Sequence, residues 1–331
     1  MKFVAILWLV LTLNWAYAQT DDAKEYVSAL ADKDISPEQA CKDYPEILKN
    51  NPEEDQLISL LSILSEISFY YDHACAEQFE KQLLERVNRS GSSQQFCYYA
   101  QYKAHAYMGF GQYDSALAIV DSALTFDHKG NYGLEASLNT IRGSIFYYQR
   151  QYKNSAEAFA NAIEAAELAE DSSQYITALV NTGSAYNGLG YHHTALGYFQ
   201  KAYEYSASYD NYQRFLIQNN LSAILIQLNY YGQAAKILEE IMSNPDLGSE
   251  SNYEALYLSY ANAGSICAED PNLLSHCDTI TDLVKYAYTN TEHYKTVISS
   301  VLFNLYYANY GIDRATQYFN SIKMELLGDT N

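Results

Sequence analysis

A six-position pattern that returns about every 40 residues constrains this chain more than any other feature. It reads small, aromatic, turn, small, large apolar, small, and its clearest copy is Gly183, Tyr186, Gly190, Ala195, Phe199 and Ala202. Other copies run through Ala104, Tyr107, Gly111, Ala116, Val120 and Ala123; through Gly143, Phe146, Arg150, Ser155, Phe159 and Ala162; and through Ser222, Leu225, Asn229, Ala234, Leu238 and Ile241. A further copy, Phe303, Tyr306, Tyr310, Ala315, Phe319 and Ile322, lies near the C-terminus. Spacings of three, and of four then three, put each half of the pattern on one helical face. Each copy therefore predicts two helices joined by a tight turn. The small residues let the helices approach closely, and the large ones fill the space around the contact. Gly111, Gly190 and Asn229 tolerate left-handed backbone angles and end the first helix. Such a hairpin cannot bury its outer faces alone, so the copies must stack in series.

The stretches NTGSAYNGLGYHHTALGYFQKAYEYS, AHAYMGFGQYDSALAIVDSAL and IRGSIFYYQRQYKNSAEAFANAIEAA make the chain resemble the tetratricopeptide repeat (TPR) family over about residues 97–245. The resemblance implies an all-α fold, a right-handed superhelical solenoid of about seven antiparallel helix hairpins. The period departs from the family's, being nearer 40 than about 34, which calls for longer helices or loops between repeats. The Trp and Pro of the family pattern are also absent.

Along the chain, residues 1–18 read as a signal peptide: Lys2, an apolar stretch from Phe3 to Leu13, and the cleavage site Ala16-Tyr17-Ala18. An Ala-Gln junction followed by these repeats resembles exported TPR proteins of Bacteroidetes-type bacteria. The expected mature protein begins at Gln19 and is periplasmic or secreted. No later segment is long and apolar enough to span a bilayer, so no membrane insertion is expected after cleavage. Residues 19–52 form an N-terminal extension with one helix, started by Ser36-Pro37 and stopped before Asn51-Pro52. The repeat array occupies 53–327, with hairpins at about 53–88, 95–128, 134–170, 173–209, 212–243, 251–288 and 292–327, and 328–331 is a tail.

The net charge of −20 repels phosphate backbones and anionic headgroups, which disfavours nucleic acid and membrane-surface partners. The 34 tyrosines must bring their hydroxyls to water or to polar partners, so many belong half-buried at helix contacts. Five cysteines in an exported chain point to disulfides. Cys267 and Cys277 straddle the turn at Ala268–Pro271 and are expected to pair; among Cys41, Cys75 and Cys97, the pair Cys41–Cys75 leaves Cys97 over.

Motifs for chemistry are missing. Gly109/Gly111 and Gly188/Gly190 follow helices and lack the remainder of a phosphate loop, so they read as turn glycines. His192 and His193 are adjacent, which suits a solvent-facing turn better than a metal site. No nucleophile elbow, paired Cys/His spacing or cofactor motif occurs, so no catalytic residue, metal or cofactor is expected. What remains is the surface that the TPR resemblance implies, a concave groove lined by the first helices. Its positions fall on Tyr98, Gln101, Tyr102 and His105; on Thr140, Ser144, Tyr147 and Tyr148; on Thr177, Asn181, Ser184 and Asn187; and on Asn219, Asn220 and Ala223. Family members that grip a C-terminal carboxylate use Lys and Arg at such positions, and this chain has none there. Asn and Gln amides can pair with a bound backbone and Tyr offers area at low entropic cost, so the expected ligand is a peptide or protein. Asn181 and Asn220 can equally cap or bridge neighbouring helices. The expected function is a non-enzymatic interaction scaffold, with a sensory ectodomain or a glycan-binding module as alternatives.

Overall fold

A computed structural model describes residues 74–126, 128, 130–206, 211–244, 259, 262–267 and 272–274. The signal peptide, the N-terminal extension, the hairpins expected at 251–288 and 292–327 apart from those few residues, and Cys41 and Cys277 lie outside this set, as does the side chain of Cys75. Among the described residues all regular structure is helical and no strand occurs. The helices are α1 (Ala74–Ser90), α2 (Ser93–Gly109), α3 (Tyr113–Leu124), α4 (Tyr132–Tyr148), α5 (Tyr152–Leu168), α6 (Ser172–Gly188), α7 (His192–Tyr205), α8 (Asn211–Gln227) and α9 (Tyr231–Met242). They pair as α2/α3, α4/α5, α6/α7 and α8/α9, one pair to each copy of the pattern. The chain divides into two compact units, Met1–Ala178 and Leu179–Asn331, with the division inside α6.

The turns have one geometry. At the end of α2 the Gly111 amide donates to the Met108 carbonyl and Gln112 to Tyr107, at 3.0 and 2.8 Å, and Gly111 takes φ 72°. This crossed pair of bonds is the Schellman ending of a helix. It recurs at Arg150 (φ 60°), Gly190 (φ 81°) and Asn229 (φ 61°), the same pattern position each time, and at Glu170 (φ 53°) between hairpins. Helix starts are fixed by Ser92, Asn131 and Asp171, whose side chains accept from the amides of Gln95, Leu134 and Gln174.

Each hairpin is locked by size complementarity. A Cβ added at Gly143 would lie 2.5 Å from the Phe159 ring, and one at Gly183 would lie 3.0 Å from Phe199. Where the second helix carries the slimmer Val120 or Leu238, the first carries Ala104 or Ser222, and all four are buried. The Ser155 hydroxyl ties α5 to α4 by donating to the Gly143 carbonyl at 2.8 Å. In the first unit a core runs through Cys97, Ala104, Met108, Val120, Leu134, Leu138 and Ile145. In the second, Asn219 is buried and its amide donates to Phe215 O and Ser259 Oγ, while Asn262 donates to Asn219 O and Ser222 Oγ.

The first helices α2, α4, α6 and α8 are each 17 residues long, about 26 Å. Their length accounts for much of the long period. Charge is sorted between the two helices of a hairpin. The cations on the first helices are Lys103, Arg142 and Arg214, and their only acid is Glu135. Acids concentrate on the second helices, as Asp114 and Asp121 on α3, Glu157, Glu164 and Glu167 on α5, Glu204 on α7, and Glu239 and Glu240 on α9. All three first-helix cations are paired: Lys103 with Glu80, Arg142 with Asp121 at 2.9 Å, and Arg214 with Glu240 at 3.1 Å. Each also lies near an aromatic face, of Tyr107, Phe146 and Tyr203 respectively.

Candidate functional site

In the first unit, Tyr98 is half-buried and its hydroxyl accepts from Gln94 Nε2 at 3.4 Å. Gln101 and Tyr102 are only 5% exposed. Those two therefore belong to the packed interior, correcting their expected place on the lining. The helical face here is rotated so that Tyr98 and His105, seven apart and two turns distant, stay half-buried while Gln101 and Tyr102 turn fully in. His105 Nδ1 is buried with no hydrogen-bond partner, and burial lowers the imidazole pKa to about 4, so the ring is neutral at pH 7. Thr140 and Ser144 are half-buried, with the Ser144 hydroxyl donating to the Thr140 carbonyl at 2.9 Å. Tyr147 and Tyr148 enter an aromatic cluster: Tyr148 stacks on Tyr113 at 6.0 Å, and Tyr147 meets Tyr152 edge-on at 5.3 Å. Burial raises both hydroxyl pKa values. Thr177 is half-buried.

In the second unit, Asn181 and Asn220 hold the same register on α6 and α8, each two residues before the small residue of its repeat. Both are half-buried, and neither amide makes a hydrogen bond within the described residues. The expectation that they cap or bridge helices finds no such bond there. Ser184, half-buried, donates to the Val180 carbonyl at 3.0 Å, and Ala223 at the equivalent position is exposed. Asn219, at 2% exposure, is a second correction: its amide is committed to the buried network described above and it lines nothing.

Sequence reasoning missed one member of this surface. His192 was expected in a solvent-facing turn, yet it is half-buried and joins three helices. Its Nδ1 lies 2.8 Å from Asn187 Oδ1 and its Nε2 lies 3.4 Å from Gln227 Nε2. A proton on Nδ1 satisfies both contacts, since Nε2 then accepts from the Gln227 amide. The available signal was His192 occupying the place that Tyr113, Tyr152 and Tyr231 hold in the other copies. His193 is exposed beside Tyr230.

Among the described residues no three His, Cys, Asp or Glu gather as metal ligands. Cys97 is a free, buried thiol that donates to the Ala123 carbonyl at 3.6 Å, and burial raises its pKa to about 11. The thiol is therefore protonated at pH 7. Cys267 is disulfide-bonded.

The repeated hairpins, the shared Schellman turns and the size-matched contacts together decide the architecture. The fold is a TPR-like helical solenoid. No family model and no curated protein matches the sequence. Solved structures do. The crystal structure of NprR in complex with its cognate peptide NprX covers 92% of this chain and 89% of its own, at 14% identity and a TM-score of 0.51. A Rap protein complexed with Competence and Sporulation Factor covers 95% and 87%, at 11% identity and 0.56. The apo form of the quorum sensor NprR from B. thuringiensis covers 90% and 83%, at 14% identity and 0.55. At these identities the likeness is one of fold.

Proposed function

We propose that this chain is a non-enzymatic scaffold that holds a peptide, or an extended protein segment, against its first helices. The observation that carries the reading is the pair Asn181 and Asn220, two half-buried amides one repeat apart in the same register, with donors and acceptors free of bonds within the described residues. An amide presents an N–H and a C=O side by side, which matches the two groups of a peptide backbone. Similarity to NprR and Rap structures that contain peptides supports the same class of ligand. The test is to pan a display library of randomised heptapeptides on the mature chain and on an Asn181→Ala/Asn220→Ala variant. Peptides held by the parent should bind the variant at least about tenfold more weakly, on the scale of one or two lost hydrogen bonds. Equal retention by both proteins overturns the reading, provided circular dichroism shows the variant folded.

Likeness to a quorum sensor favours a second reading, in which the chain is the sensory part of a signalling system and its effector is another chain or segment. That reading requires a protein partner whose binding changes with the peptide. Export to a periplasmic or extracellular compartment, in the manner of Bacteroidetes-type TPR proteins, is the setting we propose for either reading. Its support is the segment ending at Ala18, and the cystine at Cys267 suits an oxidising compartment. N-terminal sequencing of protein purified from its native host should read from Gln19.

A further inference from the structure

We propose that Asn187, His192 and Gln227 form a second anchor for the peptide, in which His192 is a positioning residue that leaves an N–H of Asn187 and the C=O of Gln227 for the ligand. This rests on the peptide-binding reading above and adds to it the ligand groups that are recognised. The other copies close the equivalent junctions differently. By register, Tyr152 and Tyr147 hold the places of His192 and Asn187 one copy earlier, and Tyr113 and Tyr148 hold those of His192 and Gln227 two copies earlier. Those contacts are ring against ring, with centroids 5.3 and 6.0 Å apart. In the second unit hydrogen bonds through one imidazole stand in both places. Tyr231 also occupies the position of His192, so the fold closes with tyrosine there in each of the other three described copies. Helix packing therefore does not call for the exchange of rings for polar groups.

The imidazole fixes how each amide is presented. With its proton on Nδ1, the ring donates to Asn187 Oδ1 at 2.8 Å and accepts from Gln227 Nε2 at 3.4 Å. Asn187 keeps its Nδ2 donor and Gln227 its Oε1 acceptor, and neither atom makes a hydrogen bond within the described residues. The buried network around Asn219 spends its amides on Ser259, Ser222 and backbone carbonyls. This junction is half-buried at Asn187 and His192 and exposed at Gln227, and it holds one end of each amide open. Asn181 and Asn220 can rotate to offer either end. Asn187 and Gln227 are held, so the first meets a ligand carbonyl and the second a ligand N–H. A peptide backbone carries both groups, and amides already oriented lose less freedom when they bind it.

The experiment uses the full mature chain and the heptapeptides whose retention depends on Asn181 and Asn220. Their affinities are measured by fluorescence polarisation for the parent, His192→Tyr, Asn187→Ala/Gln227→Ala and the triple combination. His192→Tyr installs the residue of the other copies, so it should stay folded by circular dichroism. It should bind at least about fivefold more weakly, on the scale of one lost hydrogen bond, and so should the double amide variant. In the double-variant background His192→Tyr should change affinity by less than about twofold, because the imidazole acts through the two amides. A purely structural role would cost the same in both backgrounds. Long-range proton–nitrogen NMR spectra of the parent should show His192 protonated at Nδ1 and bare at Nε2. The double amide variant, which leaves His192 in place, and the NMR spectrum decide the matter even where His192→Tyr unfolds. Parent-like affinity in the double amide variant, an equal His192→Tyr loss in both backgrounds, or a proton on Nε2 overturns this anchor and leaves the Asn181/Asn220 reading standing. Absence of any peptide that depends on Asn181 and Asn220 overturns both.

Discussion

At the scale of single residues, the hairpin contact is decided by pairs that trade volume. Gly143 faces Phe159 with no room for a methyl group, whereas Ala104 and Ser222 face the slimmer Val120 and Leu238. Gly143→Ala should therefore destabilise the chain by about 1–3 kcal/mol through overpacking. Phe159→Leu should recover part of that loss in the double variant, because it frees the space the methyl needs. A double-mutant cycle by urea denaturation measures this, and additive costs would mean that the two side chains do not compete for one volume. His105 yields a prediction with a sign. Its folded-state pKa is about 4, below the ordinary 6.5, so the unfolded chain takes up a proton first as pH falls. The neutral ring's contribution is fully present above about pH 6.5, is lost progressively down to about pH 4, and changes no further below that. Relative to His105→Gln, the parent should lose on the order of 2–3 kcal/mol across that window. Parallel stability curves for the two proteins would show the imidazole to be solvated.

At the scale of elements, the sequence announced most of what is seen, and its omissions have physical causes. Helix hairpins and turn positions were legible because a Schellman ending has a narrow residue preference and the small-large contact has a fixed spacing. Arg150 shows the limit of that legibility: it sits at φ 60° where Gly111, Gly190 and Asn229 stand in the other described copies, so only its place in the repeat reveals the turn. The candidate surface was less legible. Repeat position says which face of a helix points outward, but Gln101, Tyr102 and Asn219 are enclosed by neighbouring packing that no single helix encodes. Polarity misled most at Asn219, because a buried amide with a complete set of partners has the same letter as one open to a ligand. Asn181 and Asn220 could be told apart from Asn219 only once their partial exposure and their lack of bonds within the described residues were visible.

At the scale of the whole molecule, charge sets the terms of stability. The chain carries −20, and α5 shows the imbalance locally, with Lys153 alone against Glu157, Glu164 and Glu167. Like charges three or four residues apart on a helix are mutually destabilising. Opposing them are the pairs Lys103–Glu80, Arg142–Asp121 and Arg214–Glu240, each partly exposed and each worth about 0–1 kcal/mol. Salt screens both sets, but the repulsion sums over many more charges than the three pairs involve. Raising NaCl from about 0.02 M to about 0.3 M should therefore raise Tm, by roughly 2–4 °C if the net relief is about 1 kcal/mol. NaCl is the appropriate salt, since sulfate or phosphate would stabilise burial irrespective of charge. Removing the attraction at one pair isolates the opposing term: Arg142→Gln should lower Tm at low salt and should show a larger rise with NaCl than the parent. A Tm that falls as NaCl is added would mean that the three pairs outweigh the repulsion.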